Sequence, residues 1–327
     1  MSKFVFTCGD INGIGPEIVV KTLNKITLNS KDNFIFVCPQ NIFKYISKII
    51  KPAFEYNVSD KISSRNRKRV LILNTGSYKY KPGIPTIDSG SASFESIKTS
   101  FELIKEGCSD AVITAPISKT AIKIAGKNFP GHTEMLAGWC NVKNFVMMFL
   151  SEKMNAAIAT IHEPIKKVPI LITKGLLNKK IEVIYNSLKN DLRINFPRIA
   201  VLGLNPHAGE NGFIGDEEEK IIKPFVLNSK FSEYLTGPFS SDAFFANRLY
   251  NNFNLVFGMY HDQVLCPFKL INFGSGVNFT AGLPIVRTSP DHGTAFDIAG
   301  KGIADESSLI SAFIYAKRIV KNRKSNK

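Results

Sequence analysis

Five histidines occur in this chain, and each sits in a short polar motif at the end of an apolar run. They are His132 in Pro-Gly-His-Thr-Glu, His162 in Thr-Ile-His-Glu-Pro, His207 in Asn-Pro-His-Ala-Gly-Glu, His261 in Tyr-His-Asp-Gln and His292 in Pro-Asp-His-Gly-Thr-Ala. Imidazole is the commonest metal-binding side chain and titrates near neutral pH. Used this sparingly, it points to chemistry. Three of the five, His162, His207 and His261, stand where a strand pattern stops. Ligands of parallel sheets gather beyond the carboxyl ends of strands. Three imidazoles delivered there could converge on one divalent metal and leave positions open for water or substrate. Asp262 and Asp242 could ligate as well, or hold a ligand ring through a hydrogen bond. The competing reading is that these are loop and cap histidines without a common purpose.

A second constellation runs from Lys269 through Asn278 to Arg287, along glycine-rich apolar stretches that include Phe273-Gly-Ser-Gly-Val-Asn278. A cation emerging from an apolar surface needs a polar partner, because an unpaired buried charge is expensive. Lys, Arg and an amide suit phosphate or carboxylate; a structural ion pair is the alternative. The third constellation, Asp291-His-Gly-Thr-Ala295, precedes a candidate helix over Gly293–Gly300. Its His292, Gly293 and Thr294 could face a nucleotide at a helix start. Gly13-Ile-Gly15 does not complete Gly-x-Gly-x-x-Gly, so no Rossmann domain is expected.

The elements that must carry these residues alternate. Strand patterns cover Lys3–Thr7, Asn33–Cys38, Arg69–Leu73, Asp110–Thr114, Asn144–Leu150, Ala156–Ile161, Arg198–Leu204 and Asn254–Tyr260. Helical patterns lie between them, the longest at Ala92–Glu106, Leu176–Leu192 and Ser307–Val320, while residues 47–68 and 75–88 read as loops. Such alternation predicts an α/β fold with much parallel sheet. The 327 residues, 44% hydrophobic, suffice for two lobes. The expected division is 1–130 with 291–327 as one lobe and 131–290 as the other, the second holding His162, His207 and His261.

Five cysteines without Cys-x-x-Cys spacing, and no signal-peptide pattern, predict a reduced cytoplasmic protein. No apolar run is long enough for a membrane helix. Net charge is +15, with basic clusters at Arg65–Arg69 and Lys317–Lys327. No RNA-binding aromatic motif or zinc-finger spacing accompanies it, so neither nucleic acid nor membrane is expected as a partner. A lysine-rich surface helps attract anionic substrates.

With these motifs in view, the chain resembles the 4-hydroxythreonine-4-phosphate dehydrogenases of vitamin B6 biosynthesis from first strand to last helix. The resemblance rests on Gly13-Ile-Gly-Pro16, Thr114-Ala-Pro116 with Lys119, Gly131-His-Thr-Glu134, Leu204-Asn-Pro-His-Ala-Gly-Glu210, Tyr260-His-Asp-Gln263, Gly276-Val-Asn278, Gly282-Leu-Pro284 with Arg287, and Asp291-His-Gly-Thr-Ala295. It implies a two-lobed α/β/α architecture similar to isocitrate and isopropylmalate dehydrogenases, with the active site in the cleft between lobes. It implies NAD or NADP as cofactor, with His292, Gly293 and Thr294 at the cofactor. It also implies one divalent metal, zinc, magnesium or cobalt, on His162, His207 and His261, shared across a homodimer. Substrate residues would be His132, Thr133, Lys269, Asn278 and Arg287, binding a small phosphorylated substrate. Catalytic candidates are Asp242, Asp262 and Lys269, with metal-bound water also open as the proton acceptor. Two departures stand out: Gly9-Asp10 is followed by Ile11-Asn12 where the family often has proline, and Val264 follows His-Asp-Gln in place of a small residue.

The rivals are a dehydrogenase of the same fold acting on phospho-erythronate, phospho-threonate or a cyclic diol; a metal-dependent hydrolase; and a basic binding protein without cofactor.

Overall fold

The computed structural model describes residues 1–63, 68–127, 131–272 and 274–325. Arg65 and Arg67 of the basic cluster, Pro130 before Gly131, Phe273 and the last two residues lie outside the described residues. The chain divides into two compact units, 1–141 with 284–320 and 142–283 with 321–327. The helix carrying His132 and Thr133 and the strand carrying Arg287 therefore cluster with the first unit. Residues 321–327 go with the second, where Arg323 donates to the Asp191 carboxylate at 2.7 Å and to the Leu283 carbonyl at 3.1 Å.

The first unit opens β1 (Lys3–Thr7), α1 (Gly15–Asn29), β2 (Asn33–Val37), α2 (Gln40–Ile49), β3 (Tyr56–Ser59) and β4 (Val70–Leu73). It continues with α3 (Ile87–Lys105), β5 (Ala111–Ile113), α4 (Lys119–Ile124) and α5 (His132–Trp139). β3 and α2 fall where no regular element was expected. The second unit holds β6 (Val146–Leu150), β7 (Ala156–Ile158), α6 (Val168–Leu171), α7 (Lys174–Asn190), β8 (Ile199–Leu202) and α8 (Lys223–Asn228). It ends with β9 (Leu235–Phe239), α9 (Ser241–Ala246), β10 (Leu255–Gly258), α10 (His261–Ile271) and β11 (Val277–Ala281). The chain then returns to the first unit as β12 (Val286–Pro290) and α11 (Ser307–Lys324), whose last turn from residue 321 groups with the second unit.

Among the described residues, the first unit's strands run β3-β4-β2-β1-β5-β12, every neighbour parallel. Strands buried on both faces read as unbroken apolar runs; Phe4–Thr7 and Val70–Leu73 are buried at every position. Phe313 of α11 closes one face, its ring 5.0 Å from that of Phe4 in an edge-on contact.

On α3 the packing is unusual. Ser89, Ser93, Ser96 and Ser100 form a buried hydroxyl face. Burying hydroxyls costs free energy unless each finds a partner. Ser93 donates to the Gly9 carbonyl at 2.8 Å, and Ser96 donates to Val37 at 2.7 Å while accepting from the Cys8 N–H at 3.0 Å. The face therefore fixes the chain as it leaves β1 and β2.

In the second unit the order is β11-β6-β7-β10-β8-β9. The pairs β11/β6 and β6/β7 are antiparallel, whereas β7, β10, β8 and β9 are mutually parallel neighbours. Phe149, Phe244, Val256 and Phe268 anchor its core.

Candidate active site

Because β7, β10, β8 and β9 are adjacent and parallel, their carboxyl ends open on one edge of the second unit. Those four ends carry His162, His261, His207 and Asp242 in that spatial order. None of the three histidines ends its strand directly, as the sequence suggested. β7 stops at Ile158 and β8 at Leu202, and the chain turns left-handed at His162 and His207, with φ of 52° and 51°. His261 instead begins α10, a helix the pattern did not predict.

The rings of His162 and His261 lie 5.8 Å apart, centre to centre. With nitrogen–metal distances of about 2.1 Å, two imidazoles on one cation have ring centres roughly 5–6 Å apart. These two residues thus fit a shared divalent ion. The Asp262 carboxylate contacts His261 Nδ1 at 2.7 Å, which leaves Nε2 as the outward nitrogen, the arrangement that orients metal-binding imidazoles. Asp242 is exposed, and its carboxyl is held below the usual range by the Ser240 hydroxyl, the Ala243 N–H and the charge of nearby His207. Among the described residues no three His, Cys, Asp or Glu side chains are grouped as a finished metal site within this one chain. The structure thus brings two imidazoles together and leaves His207 beside Asp242.

Lys269 is exposed on the last turn of α10. The expected desolvation of a cation on an apolar surface does not apply to it. Asn278 is half-buried in β11, opposite Phe149.

A second group of the predicted residues lies in the first unit. Arg287 on β12 is only 2% exposed. Its Nε and one terminal nitrogen donate to Thr114 Oγ1 at 3.0 and 2.8 Å. Burial pushes its pKa down to about 9, partly offset by the carboxylate of Glu134. The half-buried His132, at the start of α5, is pushed well below the ordinary histidine range, first by burial and then by the Arg287 charge. It is therefore neutral at physiological pH. Its Nε2 is buried and has no hydrogen-bond partner among the described residues. Native structures rarely leave such an atom unpaired, and each instance calls for an explanation. Thr133 is buried alongside.

The expected helix over Gly293–Gly300 does not form. Residues 296–300 are turns, and Ala295 and Gly300 take left-handed φ of 42° and 81°. A right-handed helix cannot pass through either. In place of helical bonds, the Gly300 and Gly302 N–H groups donate to the two carboxylate oxygens of buried Glu17. Gly13 packs under the same loop: a Cβ there would sit 2.8 Å from the Thr294 carbonyl, and Ile14 donates to that carbonyl at 3.0 Å. The glycines after β1 thus serve close backbone packing. His292 contacts the Gly293 carbonyl through Nδ1 at 3.1 Å, and its Nε2 has no hydrogen-bond partner among the described residues.

Sequence reasoning assigned no role to Thr114, Glu134, Glu17 or Gln263, although the first two and the last lie inside quoted motifs. Glu17 follows Pro16 on an ordinary first helical turn, where an acidic residue reads as dipole compensation.

A family model described as "Pyridoxal phosphate biosynthetic protein PdxA" matches residues 30–316. The chain belongs to this family. Among the PdxA relatives, a 4-hydroxythreonine-4-phosphate dehydrogenase from a Ruegeria species is 45% identical over 322 residues, covering 97% of this chain and 96% of the relative. One from Oceanobacillus iheyensis, provisionally named a D-threonate 4-phosphate dehydrogenase, is 38% identical over 94% of both chains. The crystal structure of 4-hydroxythreonine-4-phosphate dehydrogenase from Klebsiella pneumoniae superposes with a TM-score of 0.82 at 33% identity, covering 98% of this chain and 100% of that one. Among the described residues no helix is long and apolar enough to cross a membrane.

Proposed function

We propose that this PdxA-family chain is a 4-hydroxythreonine-4-phosphate dehydrogenase. It oxidises the C3 hydroxyl of 4-phosphooxy-L-threonine with NAD or NADP; the resulting β-keto acid loses CO2 to give 3-amino-2-oxopropyl phosphate. The observation that carries the reading is the buried Arg287 guanidinium beside a neutral His132 whose Nε2 has no hydrogen-bond partner among the described residues. A desolvated guanidinium pre-set by two hydrogen bonds suits a phosphate or carboxylate, since charge-assisted bonds are the strong ones. A neutral imidazole adds a donor without adding charge.

The family resemblance assigns substrate binding to His132, Thr133 and Arg287 of the first unit and to Lys269 and Asn278 of the second. His162, His207 and His261 would hold a divalent cation, zinc, magnesium or cobalt, which supplies Lewis acidity toward a substrate alcohol or ketone when bound. Asp262 fixes the His261 ring. Asp242, held ionised, is a weak base and suits a charge-stabilising role better than proton abstraction. Asp262 and Lys269 stay as candidates for taking the hydroxyl proton. His292, Gly293 and Thr294 would hold the cofactor, which would supply a hydride acceptor when bound.

A homodimer that completes the metal site fits the finding that, among the described residues, no three His, Cys, Asp or Glu side chains form a metal site within one chain. A cytoplasmic location fits five free cysteines.

The same chemistry on a phosphorylated hydroxy acid such as D-threonate 4-phosphate is the alternative favoured by the Oceanobacillus relative's name. A steady-state panel of both substrates with NAD decides, read as NADH absorbance. A tenfold or greater kcat/KM advantage for 4-phosphooxy-L-threonine is expected. Turnover of neither, in metal-supplemented protein, refutes the proposal.

A further inference from the structure

The three loops beyond β8, β9 and β10 are tied together by one buried amide. Gln263, 9% exposed on the first turn of α10, accepts from the Met259 N–H at 2.7 Å through Oε1. Its Nε2 donates to the Gly203 carbonyl at 2.6 Å and to Ser241 Oγ at 2.8 Å. Met259 lies two residues before His261, Gly203 four before His207, and Ser241 directly before Asp242. An amide is the one neutral side-chain group that offers an acceptor and two donors in a fixed plane. An unbranched apolar side chain of similar length would fill the space and leave all three loops unlinked.

The far side of the His207 loop is held by a second buried group. Glu218, 1% exposed, accepts from the Leu204 and Asn205 N–H groups at 2.6 and 2.8 Å and from Asn205 Nδ2 at 2.9 Å. It lies on a single π turn, Glu218–Ile222. That loop runs left-handed through His207, Ala208, Gly209, Glu210 and Asn211. Each non-glycine residue there is strained, so the path persists only while its surroundings enforce it.

We infer that Gln263 is a positioning residue for the imidazoles of His207 and His261, fixing the direction in which each leaves its strand by clamping the exits from which both emerge. The inference rests on the reading of those histidines as cation ligands. Side chains that orient metal ligands typically carry ten- to hundredfold in affinity.

The test titrates cobalt(II) into full-length, metal-stripped protein, read by visible absorption and chelator competition, with thermal unfolding of the metal-free form alongside. The unsubstituted protein is expected to show a ligand-field spectrum that His261→Ala lacks. Gln263→Met is expected to bind cobalt ten- to hundredfold more weakly with a shifted spectrum. Ser241→Ala, which removes one of its three partners, is expected to weaken binding severalfold and serves where Gln263→Met does not fold. Unchanged affinity and spectrum in the folded variants overturns the clamp while the cation reading stands. No cobalt spectrum in the unsubstituted protein overturns both.

Discussion

Replacing Arg287 by methionine should move stability and substrate binding in opposite directions. In the free protein the guanidinium is buried, and its drop from the ordinary arginine value to about 9 corresponds to roughly 5 kcal/mol against the charged form. Relaxation reduces that figure; buried ionic groups exchanged for apolar ones of similar size are often neutral or stabilising by about 1–4 kcal/mol. Methionine also fills most of the volume. Thr114 loses two donors but keeps a 3.5 Å approach to the Thr288 carbonyl. Glu134 loses a compensating charge, so the exchange is best made with Glu134→Gln as well. The melting temperature of the double variant is expected to stay level or rise by a few degrees. Substrate binding loses one or two charge-assisted hydrogen bonds, at about 1.5–3 kcal/mol each, so KM should rise by about 100-fold, while the free enzyme stays folded. Calorimetry and initial rates read the two effects separately. A melting temperature lowered by ten degrees would refute the desolvation argument. A KM within twofold of the unsubstituted enzyme would refute the phosphate role.

Three further outcomes are expected. Asp10 is buried and its pKa is raised to about 6 by desolvation, against hydrogen bonds from Asn12, Ser89 and Gly13. The native state then holds a proton between about pH 4 and 6 that the unfolded chain has released, so stability falls as pH rises through that window. Asp10→Asn should recover up to about 3 kcal/mol at pH 7.5 by urea unfolding; a loss would show that the ionised carboxylate is needed. His132, its pKa lowered, takes up its proton in the unfolded chain first. Stability should therefore fall as pH drops below the ordinary histidine value, and His132→Gln should flatten that part of the urea-midpoint profile. An unchanged profile would argue against a buried neutral imidazole. His207→Ala should lower metal-dependent turnover by at least about 100-fold with an unaltered circular dichroism spectrum; full turnover by that variant after exhaustive chelation would contradict the metal role.

What could be read in advance was periodic or compositional. Buried parallel strands such as Val70–Leu73 announce themselves as apolar runs. Ser118 and Gly126 bracket α4 because a hydroxyl cap and a left-handed glycine are local requirements. β3 stayed hidden because Tyr56–Ser59 is an edge strand, alternately half-buried and exposed, inside a basic stretch. The buried face of α3 places four serines among Ala92, Ile97 and Leu103, so hydroxyls that read as solvent-facing are buried. The Gly293–Gly300 segment misled because its composition suits a helix start, while left-handed Ala295 and Gly300 break the path and Glu17, far away in sequence, holds the N–H groups of Gly300 and Gly302 at its end. Glu218 sits in the run Asp216-Glu217-Glu218-Glu219, where nothing separates the buried carboxylate from its solvated neighbours; a π turn makes the difference.

Residue types alone determined which chemistry was open to this chain: imidazoles for a cation, Arg and Lys for an anion, a histidine–glycine–threonine loop for a cofactor. They also determined the alternation of strand and helix, because side-chain period and burial are properties of neighbours a few positions apart. The order of β7, β10, β8 and β9 was decided only by tertiary structure, and with it which histidines meet. So were the burial of Arg287, the neutrality of His132 and the amide that joins three strand exits. Each depends on groups dozens to more than a hundred residues apart, and local sequence holds no term for the desolvation or hydrogen bonding that such distant partners impose.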